Sequence, residues 1–457
     1  MAGAPQDRVR NPRPVKRSPL LLALVLLAAS SGGLTPAPGK AVITLTAKPG
    51  FWSEPAVAVD PSDPRRVVAA YQVGGLVDYS RDAGRTWKSV TAVPHDHRLI
   101  DGDVSVAYDA RGHAILCYIA FDKLGTESYW AHHATRNGIF VERSNDGGAH
   151  WLRRAVAVKA PVGRPNVFED KPYIVADDTR GPYRGNLYIG WTEFHRAYSE
   201  MLFSRSTDGG VSWTHPIRIS TQNGLPRDDN GATEGFDGTV GPNGTLYTVW
   251  QDGTHIVLAV SRDGGKTFAP SHAIISVPSM NYYVQGYQGR EVNGFPQIAI
   301  APKTRRLFVT WSDYRYGEVD IFSATSTDGG VTWSAPVKVN DDRTHDGRDH
   351  LFQWLAVDPI TGDAYVIFDD RRGDRKNELA TITLARSTDG GRRYRNYEWT
   401  TKPFDPSFQF MGDYNGIAAY AGRVYGVWTE TAPTRAKRWS KAWRAPRTIV
   451  RLGMAHF

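Results

Sequence analysis

The chain has 457 residues, 41% hydrophobic and 22% charged, which is enough apolar side chain for a large core and excludes a disordered or collagen-like polymer. The formal charge of +8 is partly the work of a basic leader, so it does not by itself signal a nucleic-acid partner. Cys117 is the single cysteine, which excludes an intramolecular disulfide framework and, from its place in the apolar run 114–120, reads as a buried thiol.

Arg8, Arg10, Arg13, Lys16 and Arg17 precede an apolar run from Leu20 to Ala29, with small residues at Ala28, Ser30, Ser31 and Gly32. That layout is a secretory signal peptide, and the run is short for a bilayer span. Residues 1–40 are read as signal peptide and spacer, and 41–457 as one domain, secreted or periplasmic in a bacterial cell envelope, with no stable membrane span after cleavage. Without the leader's five basic residues and Asp7 the formal charge falls to +4. The basic cluster that remains, Arg435, Lys437, Arg438, Lys441, Arg444, Arg447 and Arg451, reads as a solvated loop rather than a nucleic-acid surface.

Six segments share the pattern Ser-x-Asp-x-Gly-x-x-aromatic: Ser80 to Trp87, Ser144 to Trp151, Ser206 to Trp213, Ser261 to Phe268, Ser326 to Trp333 and Ser387 to Tyr394. Their starts lie 64, 62, 55, 65 and 61 residues apart, a period that marks a repeat architecture. Asp and Ser oxygens can accept turn amides, Gly supplies a positive φ, and the aromatic folds back onto the core. A second series, Tyr71, Tyr118, Trp191, Trp250, Trp311, Phe368 and Trp428, marks a strand earlier in each unit and has seven members. Each unit reads as four strands, with the Asp-box turn between the third and fourth, which predicts an all-β propeller of seven blades, with six as the alternative. The last unit lacks an Asp box but offers a strand over 447–452, and residues 42–47 can supply its fourth strand and close the ring.

In such a blade the Asp boxes lie on one face, and the loops that lead into the first strand and leave the second lie on the other. Second strands end in Glu193, Asp252, Asp313, Asp370 and Glu430, and the leading loops add Asp101, Asp103, Glu169, Asp170, Lys171, Glu234, Asp237, Arg290, Arg348, Asp349, His350, Asp413 and Tyr414. Carboxylates converging on one axis raise each other's pKa and arginines lower them, which is an environment for acid–base chemistry; the competing reading is salt bridges between blades. Asp370, Arg371 and Arg372, with Asp413 and Tyr414, are expected to form the densest part of the ligand site. His95, His97, His132, His133, His345 and His350 also fall on this face and read as scattered surface histidines, so no metal is assigned. With no phosphate-binding loop, dinucleotide, zinc-protease or nucleophile-elbow motif, no cofactor is expected either.

The Asp-box segments resemble the bacterial neuraminidase repeat, and residues 50 to 452 are similar to the sialidase superfamily of Asp-box propellers. The resemblance implies a set of catalytic roles: Asp103 as acid, Glu234 as activator of a Tyr414 nucleophile, and Arg290 and Arg348 as clamps on a substrate carboxylate; the ring of charges adds Asp370 as a further catalytic candidate. The family's Phe/Tyr-Arg-Ile-Pro motif is replaced by Phe51-Trp52-Ser53-Glu54-Pro55, which has no arginine, leaving Arg315 or Arg371–Arg372 to stand in. Two functions follow: a monomeric, exported sialidase-like glycoside hydrolase acting on a glycan, with an acidic sugar as one option, or a non-catalytic propeller that binds carbohydrate or a protein partner. Trp130, Tyr282, Tyr283 and Tyr287 are the candidates for stacking on sugar rings.

Overall fold

A computed structural model describes residues 34–457 apart from 73–74, 93–99, 123–135, 153–155, 160–166, 227–230, 279–280, 285–290, 408–409 and 434–446. The leader, Arg290, Trp130, Tyr287, His95, His97, His132, His133 and most of the basic C-terminal cluster therefore lie outside the described residues, as do the side chains of Asp101, Tyr282 and Tyr283. No helix among the described residues is long and apolar enough to cross a membrane.

Seven four-stranded antiparallel sheets follow one another along the chain. Their innermost strands are Ser53–Val59, Ile100–Tyr108, Val167–Ala176, Thr233–Val240, Gln297–Ala301, His350–Val357 and Gly416–Tyr420, numbered here as blades 1 to 7. Each innermost strand packs against those of the blades before and after it, and blade 7 against blade 1, so the ring is closed. Ala41–Thr44 is the outermost strand of blade 7, with Val42 opposite Gly453 and Thr44 opposite Arg451. Just before it, Thr35–Pro36 adds a parallel fifth strand to blade 6, opposite Tyr397 and Glu398, so the N-terminal segment straps two neighbouring blades together.

The seven marker aromatics all fall in second strands, and each is fully buried or nearly so. The core sits between blades because side chains alternate across each strand. In blade 2, Ile115, Cys117 and Ile119 pack with Ile189 and Trp191 of blade 3, while Leu116, Tyr118 and Phe140 face Val68, Ala70 and Val77 of blade 1. Cys117 is the buried thiol its apolar context implies.

All six Asp boxes make the expected bonds. The Ser hydroxyl donates to the Asp carboxylate at 2.7 to 2.9 Å and accepts the amide of the glycine four residues on at 2.8 to 2.9 Å. Arg143 and Arg205 donate to the carbonyls of Gly209 and Gly264 in the next blade's box, so these turns also fasten blade to blade. Antiparallel order places them at the opposite end of the blade from the start of the innermost strand.

Candidate functional site

The innermost strands do not begin as regular ladders. In blades 1, 2, 3, 4 and 6 the register slips near the start, and the slipped residue is left-handed: Glu54 (φ 49°), Asp103 (46°), Lys171 (47°), Gly235 (78°) and Phe352 (54°). A bulge inserts a residue and re-aims its side chain, and a left-handed non-glycine residue costs on the order of 1 kcal/mol or more. Four such residues at equivalent places, three of them charged, mark one end of the axis as a built site.

Contacts between distant blades show where these side chains go. Lys171 Nζ of blade 3 lies 2.8 Å from Asp413 Oδ2, which leads into blade 7, and sits over the rings of Phe295 at 4.4 Å and Tyr414 at 5.1 Å. Trp354 of blade 6 donates its indole N–H to Tyr173 Oη of blade 3 at 3.3 Å and packs on Tyr414 at 5.3 Å. Residues of blades 3, 6 and 7 can meet in this way only at the axis. Asp103 Oδ2 accepts the Lys171 amide at 3.0 Å, and Glu54 Oε1 accepts the Asp413 amide at 3.3 Å. Glu234 is fully buried and its charge acts on Lys171. Each blade thus contributes to one axial cluster: Glu54, Asp103, Lys171, Glu234, Phe295, Trp354, and Asp413 with Tyr414.

Among the described residues the cluster is short of cations. Burial, then the charges of Asp103 and Asp413, raise the Glu54 carboxyl well above its usual range. Asp103 is penalised by burial as well, but hydrogen bonds from Asp170 and Glu54 and the Lys171 charge bring it below its usual value. Glu54 Oε2 is buried and meets no donor. A proton on Glu54, shared with ionised Asp103, satisfies that geometry, since two carboxylates in contact cannot both stay charged. Burial, with Glu54 and Asp103 next, pushes the Tyr414 phenol far up.

Of the described residues expected at the site, Asp103, Glu234, Asp413 and Tyr414 are brought together here, whereas Arg315, Arg348, Asp370, Arg371 and Arg372 are placed elsewhere, and Arg290 lies outside the described residues. Arg315 is chelated by Asp313, Nε to Oδ1 2.8 Å and Nη2 to Oδ2 2.5 Å, and lies over Phe322. Arg372 is held by Asp370, Asp341 and Asn396 at 2.6 to 2.7 Å, and Asp370 also accepts from Thr383, so this pair ties blade 6 to the preceding loop instead of facing Tyr414. Arg371 is fully buried, donating to the Asn377 carbonyl at 2.8 Å. Arg348 is partly exposed in the loop before blade 6, its amide on Asp346. The second-strand acids have local partners too: Trp311 donates its indole N–H to Asp313 at 2.8 Å, Trp428 to Glu430 at 3.3 Å, and Glu193 pairs with Lys159 at 2.6 Å. An acid two residues beyond a Trp lies on the same face of the strand, and at Asp313 and Glu430 that spacing supplies an indole acceptor, whereas Trp191 donates instead to Glu169.

No family model and no curated relative matches the sequence. Among solved structures, it is similar to a leech intramolecular trans-sialidase complexed with 2,7-anhydro-Neu5Ac, at 13% identity over 75% of this chain and 68% of that one, TM-score 0.50. It is also similar to a Hadza microbial sialidase, at 15% over 86% and 73%, TM-score 0.49, and to YCF48 bound to a D1 peptide, at 13% over 93% and 98%, TM-score 0.48. The fold is sialidase-like. At such identities the likeness is one of fold, and the chemistry rests on the axial residues themselves.

Proposed function

We propose that the protein is an exported glycoside hydrolase whose acid–base machinery is the axial cluster. The observation that carries this reading is the pair Glu54 and Asp103, two buried carboxyls in contact whose pKa values are driven apart, one up and one down. Two titratable groups separated in this way share one proton, which leaves a protonated carboxyl available as an acid at a pH where its neighbour is ionised. Glu54 holds the proton for the leaving oxygen. Asp103, ionised and in contact with Glu54, orients that proton, so the acid role falls to Glu54 in place of Asp103. Lys171, paired with Asp413, holds the carboxylate charges in place, and the Tyr414 and Trp354 rings give a sugar an apolar face to stack on.

A carboxylated sugar would meet Asp103 and Asp413 with Lys171 already paired, while Arg315 and Arg372 are spent elsewhere. Among the described residues this favours a neutral or amino sugar as the substrate. One observation favours the second reading, a binding propeller: Glu54, Asp103 and Glu234 are almost entirely enclosed. A panel of fluorogenic neutral, amino and acidic glycosides separates the two. Turnover of a neutral or amino glycoside that Asp103→Asn abolishes supports the hydrolase, and binding of glycans without turnover of any of them supports the binding propeller.

A further inference from the structure

A second cluster lies between blades 5 and 6, away from the axial contacts. His350 is fully buried and begins the innermost strand of blade 6, opposite Asp370 at the end of the second strand. Asp320 begins the third strand of blade 5, Asp320–Ser326, and Asp342 lies in the loop between the blades. His350 Nε2 is 3.1 Å from Asp342 Oδ2 and 3.4 Å from Asp370 Oδ1. Nε2, Asp342 Oδ2 and Asp320 Oδ2 are all buried, and no well-aligned hydrogen bond satisfies any of them, although Nε2 is near enough to Asp342 and Asp370 for an ion pair if the imidazole is protonated. Close approach without hydrogen-bond alignment is what donors around a common cation show.

The surroundings fix these groups in that pose. Asn340 Nδ2 spends both hydrogens on Asp320 Oδ1 at 2.6 Å and Asp342 Oδ1 at 2.7 Å. His350 Nδ1 lies 3.1 Å from Asn340 Nδ2, whose hydrogens have the closer acceptors Asp320 and Asp342, and 3.3 Å from the Val319 carbonyl; the tautomer that donates to this carbonyl leaves the Nε2 lone pair for a ligand, and a backbone carbonyl orienting the far nitrogen is the usual support of a metal-bound histidine. Lys338 holds Asp320 Oδ1 and Asp342 Oδ1, Arg372 Nε and Thr383 hold Asp370 Oδ2, and the Arg372 amide reaches Asp370 Oδ1. Four carboxylates, counting Asp341 on Arg372, face two cations, Lys338 and Arg372. That leaves two negative charges, which a divalent ion neutralises and a protonated imidazole only halves.

We propose that Asp320, Asp342 and His350, with Asp370 beside them, bind a divalent metal ion of the Mn²⁺ or Zn²⁺ class that clamps blade 5 to blade 6. An imidazole among carboxylates suits these ions better than Ca²⁺, which takes oxygen ligands. The competing occupant is a proton: burial lowers the His350 pKa, but Asp342 and Asp370 override it and hold it up at about 10 in a metal-free site.

The test uses the mature chain, stripped with a chelator and titrated with MnCl₂ or ZnCl₂. Expected are one ion bound per chain and a Tm that climbs with the logarithm of free metal, with both lost in Asp342→Asn. Should that variant not fold, pulsed electron paramagnetic resonance of the Mn²⁺-loaded parent reads the imidazole ligand directly as a nitrogen coupling. A Tm indifferent to both metals, a metal response undiminished in Asp342→Asn, or bound Mn²⁺ without nitrogen coupling each overturns the site.

Discussion

Lys171 Nζ meets Asp413 Oδ2 at 2.8 Å although the two residues belong to blades 3 and 7, and this ion pair crosses the axis of the ring. It is the cation in a cluster that also holds Asp103, Glu54 and Glu234. Replacing Lys171 by Met should lower stability by about 3 kcal/mol, the low end for breaking a buried pair because Asp413 keeps some contact with solvent. Replacing both Lys171 and Asp413 by apolar residues should cost less than the sum of the single changes. Chemical denaturation of the four proteins checks this, and additive effects would show that the two side chains do not interact.

The first Asp box differs from the other five at one position. Ala83 holds φ 60° where Gly147, Gly209, Gly264, Gly329 and Gly390 hold 72° to 78°. A Cβ in that region costs on the order of 1 kcal/mol, so Ala83→Gly should raise stability by about that amount, and Gly209→Ala should lower it comparably. Thermal melts of the two variants should move in opposite directions.

Glu142 of blade 2 is buried with neither carboxyl oxygen hydrogen-bonded, and burial pushes its pKa up to about 8 from 4.5. Between those values the unfolded chain has lost the proton and the folded chain keeps it, so stability from this group falls as pH rises from about 4.5 to about 8 and is level above. Asp237, raised by burial to about 7, acts in the same direction over a narrower window. Glu142→Gln should flatten part of the decline. Denaturant midpoints across that pH range give the slope, and an unchanged slope in the variant would show that Glu142 is ionised in the fold.

Arg315 and Asp313 are expected to act on stability alone. Arg315→Ala frees the Asp313 carboxylate beside the Trp311 indole and uncovers Phe322, so Tm should drop while glycoside turnover stays at the parent level. A loss of turnover with an unchanged Tm would put Arg315 back in the ligand site.

The propeller was legible because its signals are local. Six Asp boxes and seven second-strand aromatics each state their own turn or strand, and the closing strand expected over 42–47 is found at Ala41–Thr44. Half of the site was legible for the same reason, since Asp103, Glu234, Asp413 and Tyr414 stand at the starts of innermost strands. What could not be read is direction. Arg372 beside Asp370 looks the same in sequence whether it faces the axis or, as it does, Asp341 and Asn396. Glu54, in place of an expected arginine motif, looked like a missing clamp, because its left-handed bulge and its contact with Asp103 exist only once the ring closes. Lys171 followed by Pro172 was the available hint: a charged residue before proline at the start of a strand, repeated as Glu54-Pro55 in blade 1.

The most direct test of the axial acid is the dependence of Glu54→Gln on leaving group. A general acid matters most when the departing oxygen is a poor leaving group, and its loss there is typically about 10²- to 10⁴-fold in rate. Glu54→Gln should therefore lose about that much kcat/KM on an alkyl glycoside or a disaccharide, and far less on the matching 2,4-dinitrophenyl glycoside, whose leaving group needs no proton. Equal losses on both substrates, or no loss on either, would contradict the assignment of the axial cluster as an acid–base site.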